Sequence, residues 1–281
     1  MEKIILYYKF VPISNVESVM FWQRALCEKL GLKGRVLISE HGINGTLGGD
    51  LKNLKYYTRE MKAHSLFDNI TWKWSDGGSN DFPKLMVKVK DEIVAFEATD
   101  ELVVTETGVQ NGGTRLSPTA LHELVQQKGG DVVFYDGRNM FEAEIGKFKN
   151  AIVPNTQTSR DFKNDLETGE ISKLKDKSIV VYCTGGIRCE ILTAMMKNRG
   201  YKDVYQLDGG IVKYGEQFAD GGLWEGKLYV FDDRMQMSFS ADAKDIAYCY
   251  NCGKQTSRQV DSERVRRKLV VCCEDCPTPL D

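Results

Sequence analysis

The sequence predicts a multidomain chain, α+β in its N-terminal part and parallel α/β in its middle, that ends in a small cysteine-rich tail. Three observations carry that expectation. Residues 1–104 read as strands and helices in the order βαββαβ, residues 117–222 alternate unbroken apolar strands with helical stretches, and five of the eight cysteines fall at or after Cys249. A length of 281 residues suits two domains with room for a small third.

In the first part, Lys3–Phe10 has the aliphatic and aromatic run of a strand. Ser14 or Asn15 can cap the helix that follows, in which Val19, Met20, Leu26, Cys27 and Leu30 recur at helical spacing up to Gly31 and Gly34. Lys33–Ser39 is a second strand, His41–Gly49 turns into a third, Leu51, Leu54, Tyr57 and Met61 mark a second helix, and Ile70–Trp74 is a fourth strand. That order is a ferredoxin-like sandwich. Gly42 and Gly45 read as turn residues and His41 as a packing residue, since a lone histidine is weak evidence of a site. Phe82–Phe96 alternates well enough for a hairpin turning at Lys90–Glu92, and its Lys84, Lys88 and Lys90 fit a solvated edge-strand face.

Thr105–Thr114 is polar and glycine-rich, so residues 105–116 are expected to link two domains. Ser117 then caps a helix with Pro118 at its first position, continued by Leu121, Leu124 and Val125 as far as Gly129 and Gly130. Strands are expected at Val132–Asp136, Ala151–Val153, Ile179–Tyr182 and Asp203–Leu207. Helices are expected at Phe141–Gly146, Ser159–Leu166, Ile187–Asn198 and Ile211–Phe218. Apolar strands that alternate with helices imply a parallel sheet covered on both faces, with functional loops at the strands' carboxyl ends. The tail, residues 223–281, is too short to fold around a hydrophobic core of its own.

Composition bounds the function classes. Lys and Arg number 38 against 40 Asp and Glu, a formal charge of -2, so nucleic-acid binding would rest on a local patch rather than a global field. No stretch approaches eighteen apolar residues and the N-terminus lacks a signal-like core, which together predict a cytoplasmic protein without a membrane span. The cysteine placement is not a disulfide framework.

Cys183 ends an apolar strand, and Thr184, Gly185 and Gly186 leave room only for a tight turn before a helix at Ile187. Such a loop aims backbone amides and the positive end of a helix at the sulfur, and Arg188 adds a fixed charge. The thiol should be held as a thiolate able to carry a persulfide or an oxyanion, with no histidine base. Cys189 is a candidate resolving thiol, with a small core residue as the plainer reading. Cys249-x-x-Cys252 and Cys273-x-x-Cys276 have the spacing of a four-cysteine zinc site, in which Cys272 can replace Cys273. Arg258, Arg264, Arg266, Arg267 and Lys268 between them are candidates for phosphate contacts, and Trp72, Trp74 or Trp224 for stacking on a splayed base. Solvated faces and core packing are the plainer readings of both sets. No flavin, nucleotide or iron fingerprint is present, so no catalytic cofactor is identifiable.

These motifs resemble a known family. Residues 131–219 are similar to a rhodanese domain, with an Asp-x-Arg strand end at Asp136 and Arg138, Glu142, Gly146 and Ala151 at matching places, and CTGGIR as the active loop. The wider order of ILYYKF, GINGT, FPKLMVKVKDEIV, YCTGGIRCE, DGGI and LWEGKLYVFDDR resembles the rhodanese-domain tRNA uridine hydroxylases. His41 departs from that pattern where an acidic residue commonly precedes GINGT, and the Cys-rich tail is often longer in the family. The resemblance implies conversion of the wobble uridine to 5-hydroxyuridine with molecular oxygen as co-substrate. It further implies tRNA, held by its anticodon loop, as partner, Cys183 as the essential thiol, and an electron donor that the sequence does not identify. The loop alone equally suits a sulfurtransferase working from thiosulfate or a persulfide, and a non-enzymatic tRNA-binding module stays open.

Overall fold

A computed structural model describes residues 1–261 and 269–277. By packing, the chain divides into two compact units, one of residues 1–113 with 190–198, the other of residues 114–189 with 199–281. No described helix is long and apolar enough to cross a membrane.

The first unit is built on β1 (Glu2–Phe10), α1 (Val16–Lys29), β2 (Lys33–Ser39), β3 (Gly42–Asp50), α2 (Leu51–Ala63), β4 (Lys73–Ser75) and β5 (Leu85–Val89). Its sheet runs β4-β1-β3-β2-β5, the ferredoxin-like order with one strand added at the β2 edge. Asn15 caps α1 by accepting from the Ser18 amide, and Asp50 caps α2 by accepting from Lys52. Between helices and sheet lie Ile5, Tyr7, Cys27, Val36, Ile38, Ile43, Leu47, Leu54, Tyr57 and Met61, all fully buried. Each such aliphatic side chain contributes about 1.5–3 kcal/mol by leaving water. Trp72 packs against the Tyr7 and Tyr57 rings of this core and Trp74 lies at its margin, which is the packing reading of both tryptophans.

The hairpin expected over Phe82–Phe96 does not form. β5 pairs in parallel with β2, and the chain after Val89 closes into a loop in which the Glu92 carboxylate accepts the Glu97 and Ala98 amides. Ile93 and Phe96 are buried by that loop, so their apolar alternation reports burial without a strand. Lys84, Lys88 and Lys90 are exposed along the β5 edge, as a solvated edge-strand face requires.

Val104–Thr105 (β6) and Gly108–Val109 (β7) form a short hairpin. The segment expected to be linker ends in a strand, β8 (Thr114–Leu116), which joins the second unit's parallel sheet of β9 (Val132–Asp136), β11 (Ser178–Tyr182) and β12 (Asp203–Leu207) in the order β8-β12-β11-β9. These strands run in register Val133–Ile179–Val204 across the centre. Around them lie α3 (Pro118–Lys128), α4 (Met140–Glu144), α5 (Phe162–Thr168) and α7 (Gly210–Phe218), while α6 (Ile187–Asn198) starts in this unit and from Glu190 onward belongs to the first. Ser117 caps α3 by accepting from the Ala120 amide. Ala151–Val153 contributes only a bridge from Ile152 to Tyr135, and Gly146–Phe148 (β10) pairs instead with Trp224–Gly226 (β13). Trp224 is buried against Phe148, its indole donating to the Gly226 carbonyl, so it is a core residue and cannot stack a base. The tail continues through the paired strands β14 (Leu228–Tyr229) with β15 (Gln236–Met237) and β16 (Gln259–Asp261) with β17 (Leu269–Val271). Of the basic stretch, Arg264, Arg266, Arg267 and Lys268 lie outside the described residues.

Candidate functional site

Cys183 follows β11 directly and is fully buried. The turn through Thr184 and Gly185 needs Gly186 at φ +98°, a conformation that side chains disfavour, and the Gly186 amide donates to Cys183 Sγ at 3.1 Å. Two amides at the start of α7 hold the loop from the other side: Ile211 donates to the Cys183 carbonyl at 2.9 Å and Val212 to that of Thr184 at 3.1 Å. Gly210, at φ +67°, permits this approach, because a Cβ there would stand 2.5 Å from the Cys183 carbonyl oxygen.

Burial by itself pushes the Cys183 thiol up. It is outweighed by a hydrogen bond from the Cys189 side chain, by the Arg188 charge and by the Cys189 and Gly186 amides, which leave the thiol pulled down to about 6. At neutral pH the group is a thiolate. Cys189, which the sequence offered as a nearby thiol, therefore lies within hydrogen-bonding reach of Cys183, in the first turn of α6.

Arg188 is held by a residue that the sequence placed near the loop only through resemblance. Its Nη1 and Nη2 donate to Glu142 Oε1 and Oε2 at 2.5 and 2.7 Å, and Nη2 donates to Thr184 Oγ1 at 3.3 Å. Both partners are buried, so the guanidinium keeps its proton: burial works against the charge, and the Glu142 carboxylate more than restores it. Glu142 is in turn placed by the buried Asp136–Arg138 pair. Arg138 clasps both Asp136 oxygens and donates to the Glu142 and Gly146 carbonyls, while the Tyr182 hydroxyl donates to Asp136 Oδ2 at 2.8 Å. The Asp-x-Arg motif thus ties the end of β9, α4 and the strand below Cys183 into one polar network. The sequence signal for Glu142 was a carboxylate shortly after Asp-x-Arg, at the place the rhodanese resemblance gave it.

In the tail, the sulfurs of Cys249, Cys252, Cys273 and Cys276 all lie within 4.8 Å of one another, with Cys252 and Cys273 at 3.6 Å. A tetrahedral thiolate site with metal–sulfur bonds of about 2.3 Å has sulfur–sulfur edges of roughly 3.8 Å, so the four can hold one metal ion. Amides aimed at Cys249, first that of Cys273 and then those of Cys252 and Asn251, pull its thiol down to about 6 against the effect of burial. Cys272 is not part of the set. Its Sγ turns to the carbonyls of Cys273, Cys276 and Pro277, which leaves Cys273 as the third sulfur of the cluster. The Arg258 guanidinium donates to the Cys272 and Cys273 carbonyls, a structural use of a residue that the sequence offered as one candidate for phosphate contact.

Known proteins match 98% of the chain. Residues 2–93 match the UPF0176 acylphosphatase-like domain, 117–217 the rhodanese-like domain, and 225–281 the rhodanese C-terminal region. A protein of Corynebacterium urealyticum named tRNA uridine(34) hydroxylase is 55% identical over 98% of this chain and 93% of its own. Relatives of the same name in Corynebacterium diphtheriae and Kocuria rhizophila are 55% and 52% identical, each over 98% of this chain and 90% and 93% of their own. At 55% identity over 98% of its length, and with an acylphosphatase-like and a rhodanese-like domain in sequence, the chain belongs to the tRNA uridine(34) hydroxylase family.

Proposed function

We propose that this protein hydroxylates uridine 34 of tRNA at C5, giving 5-hydroxyuridine at the wobble position, with Cys183 as the essential thiol. The observation that carries the reading is the 55% identity over 98% of the chain to relatives of that name. What the geometry adds is a reactive group, a thiolate at neutral pH beside a fixed guanidinium. The substrate is the anticodon loop, whose unpaired bases can be splayed into a protein site, and the reaction runs in the cytoplasm. Molecular oxygen supplies the hydroxyl oxygen: one atom enters the C5–H bond and the other leaves as water, with an electron pair and two protons from an external donor.

In this reading Cys183 is the reacting thiol. Arg188 and the amides of the Thr184, Gly185, Gly186 and Ile187 turn hold negative charge that develops at it, and Cys189 closes on it as a resolving thiol. Cys249, Cys252, Cys273 and Cys276 hold a structural zinc that replaces the hydrophobic core a tail of this size lacks. Mass spectrometry of tRNA incubated with pure protein, oxygen and a reductant should show uridine gaining one oxygen, and Cys183→Ser should abolish the gain. A wild-type protein that leaves uridine 34 unchanged under those conditions refutes the proposal.

A second reading, sulfur transfer from thiosulfate or a persulfide, is favoured by the loop itself, since a buried thiolate ringed by amides is suited to carry a sulfane sulfur. It predicts Cys183-dependent thiosulfate:cyanide exchange. A Cys183→Ser protein that still hydroxylates tRNA would assign the thiol to sulfur chemistry.

A further inference from the structure

Phe231 is an exception in the second unit. Phe134, Phe148 and Phe162 are buried there, whereas Phe231 is 53% exposed. Single exposed apolar side chains are ordinary on protein surfaces, so exposure alone would mean nothing. What sets this one apart is the turn that presents it. Asp232 accepts from Arg234 through both carboxylate oxygens, at 2.6 Å each, and its carbonyl accepts the Met235 amide at 2.9 Å. Val230 donates to the Met235 carbonyl at 3.1 Å, and Met235 itself sits at φ +61°, a backbone state an unbranched side chain enters only at a cost. The turn is therefore built to hold a fixed shape, and that shape displays an aromatic ring to solvent.

The ring also faces chemistry. Its centroid lies 5.9 Å from the Arg188 guanidinium, and the Tyr229 ring meets it edge-on at 5.0 Å, interplanar angle 82°. Arg188 in turn sits close enough to Cys183 for the two charges to stabilise each other. An open aromatic surface, pre-organised and flanked by a buried cation, suits a flat, electron-rich ring with polar edges. A nucleobase has that chemistry, and a stacked base needs no sequence-specific contact to be held.

We propose that Phe231 forms a nucleobase-stacking site, on which a base extruded from an RNA loop lies against the Arg188 side of the Cys183 loop. The site rests on the reading of the chain as a tRNA-modifying enzyme, and it names how the target base is held. Phe231 is a positioning residue: it touches the base without taking part in the chemistry, and Asp232 and Arg234 act through it.

The test compares two anticodon stem-loop RNAs, one with uridine at position 34 and one abasic there, by equilibrium binding to the full-length protein. Wild type should prefer the uridine loop by about 5- to 150-fold, the range of one base–aromatic stack. Phe231→Ala should erase that preference while leaving affinity for the abasic loop unchanged, and Phe231→Tyr should restore it. The thiolate titration of Cys183 in Phe231→Ala should match wild type, which shows the loop intact. The proposal is overturned if Phe231→Ala retains the preference, if it weakens both RNAs equally, or if wild type shows no preference. Base preference without hydroxylation would sink the hydroxylase reading and leave the stacking site standing, whereas hydroxylation with an unaffected Phe231→Ala would do the reverse.

Discussion

Cys183 and Cys27 are both fully buried, yet they titrate in opposite directions. For Cys27, inside α1, burial and the neighbouring Glu28 push the thiol up to about 12, which makes it an inert packing residue. For Cys183 the same desolvation is overturned by Cys189, Arg188 and two amides, leaving it at about 6. The folded value lies below the ordinary thiol value, so the thiolate's contribution to stability is complete at alkaline pH and is lost as pH falls through about 6. The thiolate ultraviolet absorbance that disappears in Cys183→Ser should titrate with a midpoint near pH 6, and a midpoint near that of a free cysteine, about 8.5, would contradict the geometry. Arg188→Gln removes one of the stabilising charges, and the midpoint should rise. Glu142→Gln leaves a buried guanidinium without its counter-charge, and should cost about 3–5 kcal/mol in urea unfolding.

At the scale of elements, the site depends on how two chain turns meet. The loop after β11 and the start of α7 approach so closely that Gly210 has backbone oxygens of Cys183 and Thr184 where a Cβ would stand, at 2.5 and 2.6 Å. Gly210→Ala should cost about 1–3 kcal/mol from its backbone conformation alone, and more from the clash. It should also move the Cys183 titration upward, because the Gly186 amide is among the atoms displaced; thermal unfolding and the absorbance titration measure the two effects separately. The elements that sequence pattern misjudged share a physical origin. Over Phe82–Phe96 the alternation of apolar residues is real, but burial beneath a loop satisfies it as well as a strand does, and Glu92 supplies the acceptors that a ladder would have supplied. β8 and β10 were illegible because each is three residues long, and their partners, β12 and β13, lie far along the chain.

At the scale of the whole molecule, the tail shows how a short segment is stabilised without a large core. Among the described residues, Trp224, Leu228 and Val230 join the core of the parallel-sheet domain, whereas beyond them Ile145, Tyr229, Ala247 and Val271 form one small buried cluster, and Cys249, Cys272 and Cys273 another. Metal analysis of protein purified without chelator should find one zinc per chain. Cys252→Ser should lose it and expose the tail to proteolysis, while the Cys183 titration stays at its wild-type midpoint. A metal-free wild type with a protected tail would refute the assignment.

The sequence by itself determined the two fold classes, the position of Cys183 at a strand end, the nearness of Cys189 and the two cysteine knuckles. Each of these is written in local order: hydrophobic period, glycine turns and ligand spacing act over a few residues, where the chain's own geometry leaves little freedom. Tertiary structure decided what local order cannot hold. It chose Glu142 as the partner of Arg188 across 46 positions, turned Cys272 away from the cluster of four sulfurs, and buried Trp224. It also set Phe231 outward on a clasped turn beside Arg188. Counter-charges, close approaches and the facing of side chains are properties of pairs distant in sequence, and their energies exist only once folding has removed water from between them.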